Sequence, residues 1–327
     1  MKDFVLTGVV VVALAALLLP VVLREAKEHG LVGEAAAEPL PVSMLFVGDI
    51  MLDRSVARHA RVAGPARLFA EVEDVFLRHD VVVGNLEGTL TTNPSVAEAS
   101  STVLRFTANP MFAEVLREAG VTTLSLANNH TLDFGEFGLD DTRHHLGQAG
   151  LAMFGTPYNE APLATATTVK DKTLCFVGYH ELYRRDPSTV VAKIEEIEPT
   201  CNFTTLVAHW GEEYEHEPSV SQRELAHLFV DAGTDLVIGA HPHVVQPLEI
   251  YNNVAIFYSL GNFVFDQGWR AEVRRGVMVS VEFVGNDEHF TLIPVNTYLE
   301  ATLADEAVSA AVLTDLNLDS PTFVLEK

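Results

Sequence analysis

Residues 43–49 read Ser43-Met44-Leu45-Phe46-Val47-Gly48-Asp49, an uncharged apolar run that stops on a glycine and a carboxylate. A strand buried on both faces has this composition, because a half-exposed strand would alternate apolar with polar residues. Comparable runs occur at 80–84, 121–127, 174–178, 204–208, 235–239, 254–260, 276–284 and 290–299. Helix patterns lie between several of them, at 65–79 and 138–150, at 110–120 with Asn109 as cap and Gly120 as stop, and from Ser219 or Ser221 to Gly233. The last two runs flank Gly285-Asn286-Asp287-Glu288 and read as a hairpin. Strands alternating with helices predict an α/β domain with covered sheets. It spans 43–300, and 301–327 read as a C-terminal tail.

Most of the runs end in side chains capable of chemistry: Gly48-Asp49, Asn85-Leu86-Glu87, Asn128-Asn129-His130, His180-Glu181, His209-Trp210-Gly211-Glu212, His241-Pro242-His243 and Gly261-Asn262. Ligands of α/β proteins bind outside the carboxyl ends of strands, so these endings are expected to converge on one pocket. His241 and His243, at i and i+2 of an extended segment stiffened by Pro242, point to the same side. His209 supplies a third imidazole, and Asp49 or Glu87 a carboxylate, for a divalent ion such as Mn, Fe or Zn. The same Asp49, Glu87 and His groups could instead act without metal, as acid-base pairs on a peptide-like substrate. Arg54 and Arg105, just past motif positions in a chain poor in basic residues, are candidates for binding an anionic substrate, and Asn262 is a further one. His144, His145 and His227 fall in helical segments, and His29, His59, His79 and His216 in loops or helix ends, where imidazoles serve packing or surface roles.

Residues 4–23 are uncharged and apolar, about 30 Å as a helix, which matches a bilayer core. They read as a single-pass anchor (1–23) followed by a linker (24–42); a cleaved signal peptide ending near Ala35-Ala36-Ala37 is the competing reading, disfavoured by the length of the apolar core. Lys2 against Arg24 and Lys27 leaves orientation nearly tied. The 327 residues carry 45 Asp+Glu against 21 Lys+Arg, a formal charge of −24, which argues against nucleic acid as a partner. Two cysteines, Cys175 and Cys201, exclude a disulfide scaffold and leave either a pair of buried thiols or one disulfide.

The ordered blocks Phe46-Val47-Gly48-Asp49-Ile50-Met51-Leu52-Asp53-Arg54, Asn85-Leu86-Glu87, Arg105-Phe106-Thr107-Ala108-Asn109-Pro110, Ala127-Asn128-Asn129-His130, His209-Trp210-Gly211-Glu212-Glu213-Tyr214, Gly239-Ala240-His241-Pro242-His243 and Tyr258-Ser259-Leu260-Gly261-Asn262-Phe263 resemble the CapA family of poly-γ-glutamate capsule synthesis and export. The resemblance implies a membrane-anchored protein of the cell membrane with an extracellular main domain, an anionic or peptide-like polymer as substrate, and capsule synthase subunits as partners. CapA proteins in turn resemble calcineurin-like metallophosphatases, which implies a two-sheet β-sandwich flanked by helices. Carried over by position, Asp49, Glu87, Asn129, His209, His241 and His243 would be metal ligands. His130 would be the general acid, with Asp49 and Glu87 the other catalytic groups. Met51 stands where the phosphatases have a ligating His. The expected activity is metal-dependent hydrolysis or transfer of a phosphoester or amide bond. The alternatives are the metal-free chemistry above and a non-catalytic subunit that holds polymer for export.

Overall fold

The structure, a computed structural model, describes residues 41–99, 102–183 and 186–327. The expected membrane span at 4–23 and most of the linker lie outside these; among the described residues no helix is long and apolar enough to cross a membrane.

Two sheets form the domain. The larger has the order Thr302–Leu303, Asp287–Asn296, Arg275–Val284, Ser43–Ile50, Val81–Leu86, Thr123–Ser125 and Ala152–Phe154. Asn262–Val264 adds to Ser43–Ile50, and Thr322–Leu325 to Asp287–Asn296. The smaller has the order Leu248–Tyr251, Val254–Phe257, Leu236–Ala240, Phe203–His209, Lys172–His180 and Ala164–Val169. The strands nearest the middle of each sheet run parallel.

The period-2 geometry of a strand distributes each apolar run between two cores. Met44, Phe46, Val81 and Val83 meet Phe176, Phe203, Val207, Ile238 and Phe257 between the sheets. Leu45, Val47 and Val82 face the other way, onto Phe76, Leu116, Leu139 and Leu146 under helices. Val177, Tyr179, Leu206 and Val237 likewise pack under Ser188–Ile197 and Val220–Asp231. The result is a two-sheet sandwich with helices on both outer faces, a mixed α/β fold as the alternation of patterns predicts.

Several local expectations change. Ser219, not Ser221, caps the helix Val220–Asp231 through a capping box with Gln222. The stretch at 65–79 breaks into a short 3-10 turn, Pro65–Leu68, and a one-turn helix, Glu73–Phe76. The hairpin turn tightens to Gly285-Asn286, with Val284 paired to Asp287. Residues 301–327 are not a tail: Thr302–Leu303 and Thr322–Leu325 both pair with Asp287–Asn296, and Val312 and Leu316 join the core between the sheets. Their apolar residues come in short stretches broken by Asp, Glu, Ser and Thr, and they cover an edge of that core. Cys175 and Cys201 form a disulfide.

One connection crosses from the smaller sheet to the larger. After Val254–Phe257 the chain passes through Tyr258–Gly261 into Asn262–Val264, with Leu260 N–H bonded to Gly239 O and Asp49 N–H to Gly261 O. The backbones touch closely enough that a Cβ on Gly239 would lie 1.8 Å from Tyr258 O and one on Gly48 2.0 Å from Gly261 O.

Gly48→Ala or Gly239→Ala should therefore lower stability by more than about 2 kcal/mol. Gly147→Ala, on a helix where only Met153 Cε comes within 4.0 Å, should raise it by up to about 1 kcal/mol; urea melts of the three variants check the contrast. Glu288 is buried with Oε2 unpartnered and only Lys327 3.2 Å from Oε1, and burial foremost pushes its carboxyl up to about 7. The unfolded chain loses that proton nearer 4.5, so its contribution is full below that pH and is lost as pH rises to about 7. Melting temperatures across this window should fall less in Glu288→Gln than in the wild type.

Candidate functional site

Register sets the site. In the larger sheet Asp49 pairs with Asn85 on one side and Asn262 on the other. In the smaller sheet His180, His209 and Ala240 form a matching row, and the chain then turns through His241, at φ 96°, and His243, at φ 58°. The two rows face each other at the carboxyl edge of the sandwich.

Asp49 is fully buried and joins them. Its Oδ1 accepts from Asn85 Nδ2 at 2.8 Å, and its Oδ2 accepts from His241 N at 3.2 Å and lies 3.3 Å from His243 Nδ1. Burial alone would raise this carboxyl, but His243, Asn85 and the His241 N–H together hold it below the usual carboxylate range. His243 Nδ1 is also 2.9 Å from Asn262 Oδ1, whose amide nitrogen donates to Gln267 Oε1 and Val273 O. Both neighbours of Nδ1 are acceptors, so Nδ1 carries a hydrogen and the ring orientation is fixed.

Glu87 is the outlier. It is buried, and neither Oε1 nor Oε2 meets a hydrogen-bond donor. His209 Nδ1 lies 3.9 Å and His130 Nε2 4.0 Å from its oxygens. Burial first, and the Asp49 charge second, push its carboxyl well above the ordinary value. The neighbouring imidazoles are driven the opposite way by burial and by one another: His209 well below its ordinary value, His241 to about 3 and His180 to about 4. They are neutral near pH 7, the form that ligates metal.

Two sets of side chains bring their ligand atoms within 4.8 Å of one another, Asp49 with Glu87 and His209, and Glu213 with His241 and His243. Carboxylate-imidazole sets of this kind suit a borderline divalent ion. A buried carboxylate with two unsatisfied oxygens is the feature a cation would satisfy.

Asn129 reaches the cluster through its Oδ1, 2.8 Å from His209 Nε2. His130 lines the cleft, its ring 4.2 Å from that of Phe106 and its Nδ1 2.8 Å from Asp133 Oδ2. Arg54 lines it too, paired with Asp266 and 4.7 Å over the Phe106 ring. Arg105 and Asn262, the other two candidates for substrate binding, are engaged within the chain. Arg105 stands outside the cleft lining, its Nε donating to Asp133 O and its guanidinium 4.9 Å over Phe134. Asn262 is buried with its amide committed to His243, Gln267 and Val273. Met51 is buried and its Sδ accepts the Asp53 N–H, so it turns away from ligand duty.

Sequence reasoning assigned no role to Asn85, Asn128, Asp133, Asp266 or Glu213. Asn128 Nδ2 donates to Asn85 Oδ1 and so aims the Asn85 amide at both Asp49 and His209. Both asparagines stand at strand ends already singled out, which is the signal that could have found them. Glu213 sits in the loop after His209, where acidic residues are too common to mark one.

Residues 43–267 match the family described as bacterial capsule synthesis protein PGA_cap. The chain is 32% identical to "PGA biosynthesis protein CapA" of Bacillus subtilis (strain 168), over 85% of this chain and 78% of that one. It is 31% identical to "Capsule biosynthesis protein CapA" of Bacillus anthracis, over 70% of this chain and 61% of that one. A hypothetical protein from Thermus thermophilus shares the fold at TM-score 0.53 and 17% identity, over 78% of this chain and 100% of that one. The strand-end residues that build the cluster fall within the matched span, and the chain belongs to the PGA_cap family of bacterial capsule synthesis proteins.

Proposed function

We propose that this chain serves capsule-polymer biosynthesis or export as a metallophosphatase-like hydrolase or transferase acting on a phosphoester or amide bond. In this reading residues 4–23 tether it to the cell membrane, the sandwich lies on the outer side beside synthase subunits, and the polymer is poly-γ-glutamate. Relatives whose names carry PGA and capsule biosynthesis support the process. The Cys175–Cys201 disulfide supports an oxidising compartment.

The observation that carries the chemistry is Glu87, whose two buried oxygens lack donors beside an ionised Asp49 and neutral imidazoles. Asp49, Glu87 and His209 would hold one divalent ion, with Glu213, His241 and His243 as a second set and Asn129 beside them. Such an ion supplies Lewis acidity toward a phosphoryl or acyl oxygen and makes water more acidic. The chain's own contribution is orientation and proton delivery. Asp133 fixes the His130 ring through Nδ1, leaving Nε2 in the cleft to protonate a departing oxygen or nitrogen. Asn262 fixes His243 in the same way, and Arg54, held by Asp266, offers a cation at the cleft wall.

Elemental analysis of the purified full-length protein should find a divalent metal, and Asp49→Asn, Glu87→Gln and His243→Ala should each lose most of it; a metal-free wild type would overturn the hydrolase reading. After chelation Glu87→Gln should melt no lower than the wild type, since it replaces a buried carboxyl whose oxygens lack donors. His130→Ala should keep the metal and lower kcat on a phosphoester or amide probe by about 10²- to 10⁴-fold.

A further inference from the structure

Helix Arg54–Ala63 places Arg54, Arg58 and Arg61 at i, i+4 and i+7, one face over about 10 Å. In a chain with a formal charge of −24, such a row of cations runs against the composition. Arg54 is enclosed in the cleft wall by Asp266 and Phe106. Arg58 and Arg61 are 51% and 58% exposed and share one carboxylate, Glu98, which lies 3.9 Å from Arg58 and closer to Arg61. Glu98 also lines two cavities: the catalytic cleft of about 360 Å³, and a neighbouring groove of about 550 Å³ walled by Arg61, Thr91, Thr92, Asn93 and Ser95. The two spaces meet at this side chain. An ion pair so exposed stabilises little and is displaced easily by another anion.

We propose that Arg58 and Arg61 form an entry track for a linear polyanion with one carboxylate per repeat unit, and that Glu98 is the internal anion which that polymer displaces. The inference rests on the capsule-polymer part of the function proposed above. A single monomer at the cleft would not reach past Glu98, whereas a chain occupying both cavities would place successive carboxylates along the arginine row. The hydroxyl and amide groups of Thr92, Asn93 and Ser95 suit the amide backbone of such a chain without adding charge.

The test is fluorescence anisotropy of a labelled short poly-γ-glutamate titrated with the full-length protein in detergent, with neutral polyglutamine of equal length as the control. Arg58→Gln and Arg61→Gln should each weaken poly-γ-glutamate binding by about fivefold or more and flatten its salt dependence. Glu98→Gln should tighten binding by about threefold or more, because it removes the competing carboxylate. Absence of wild-type binding, equal binding of polyglutamine, indifference to both arginine substitutions, or weakening by Glu98→Gln would each overturn the proposal. If the arginine and Glu98 effects stand in a protein that holds no metal, the hydrolase reading falls and the track remains.

Discussion

A buried carboxylate joins the two sheets. Asp49 ends the central strand of the larger sheet, yet one of its oxygens accepts from the backbone of the smaller sheet at His241 and lies against His243. An ionised carboxylate excluded from water is tolerated only when its oxygens are satisfied. The position of the His241-Pro242-His243 turn is thus tied to the end of Ser43–Ile50. The crossing at Tyr258–Gly261 makes the arrangement possible, because backbone contact at Gly48 and Gly239 lets the sheet edges approach without intervening side chains.

That satisfaction is unequal, and the inequality gives the site its character. Asp49 takes the available donors, and Glu87, 1% exposed, is left with none. The imidazoles cannot compensate, since burial and mutual repulsion keep them neutral. The cluster is therefore short of positive charge around Glu87. The same shortage extends outward, where Arg54 is matched by Asp266, and Arg58 with Arg61 by Glu98. Each of these cations near the cleft already has an anion of the chain's own, so an acidic substrate must compete for it.

Much of the cluster was legible from the endings of the apolar runs. Asp49, Glu87, Asn129, His130, His209, His241 and His243 each stand just past a run, and a sheet whose central strands are parallel brings such ends to one edge. Arg105 and Asn262 are engaged in different ways. Arg105 is near the cleft in sequence terms, but its guanidinium is held by the Asp133 carbonyl; Asn262 is at the cluster, but its amide is spent holding a histidine. Nothing local in either residue encodes its partner.

Short apolar runs and the residues that end them were enough to place the main buried strands and the chemical types gathered at one edge; strands without such runs, among them Ala152–Phe154, Ala164–Val169 and Leu248–Tyr251, left no comparable mark. Only the tertiary structure decided which carboxylate is satisfied and which is orphaned, that Cys175 reaches Cys201, and that residues 301–327 close a sheet. Those outcomes depend on partners from about 25 to 190 positions away, and a contact between distant strands is set by packing and register.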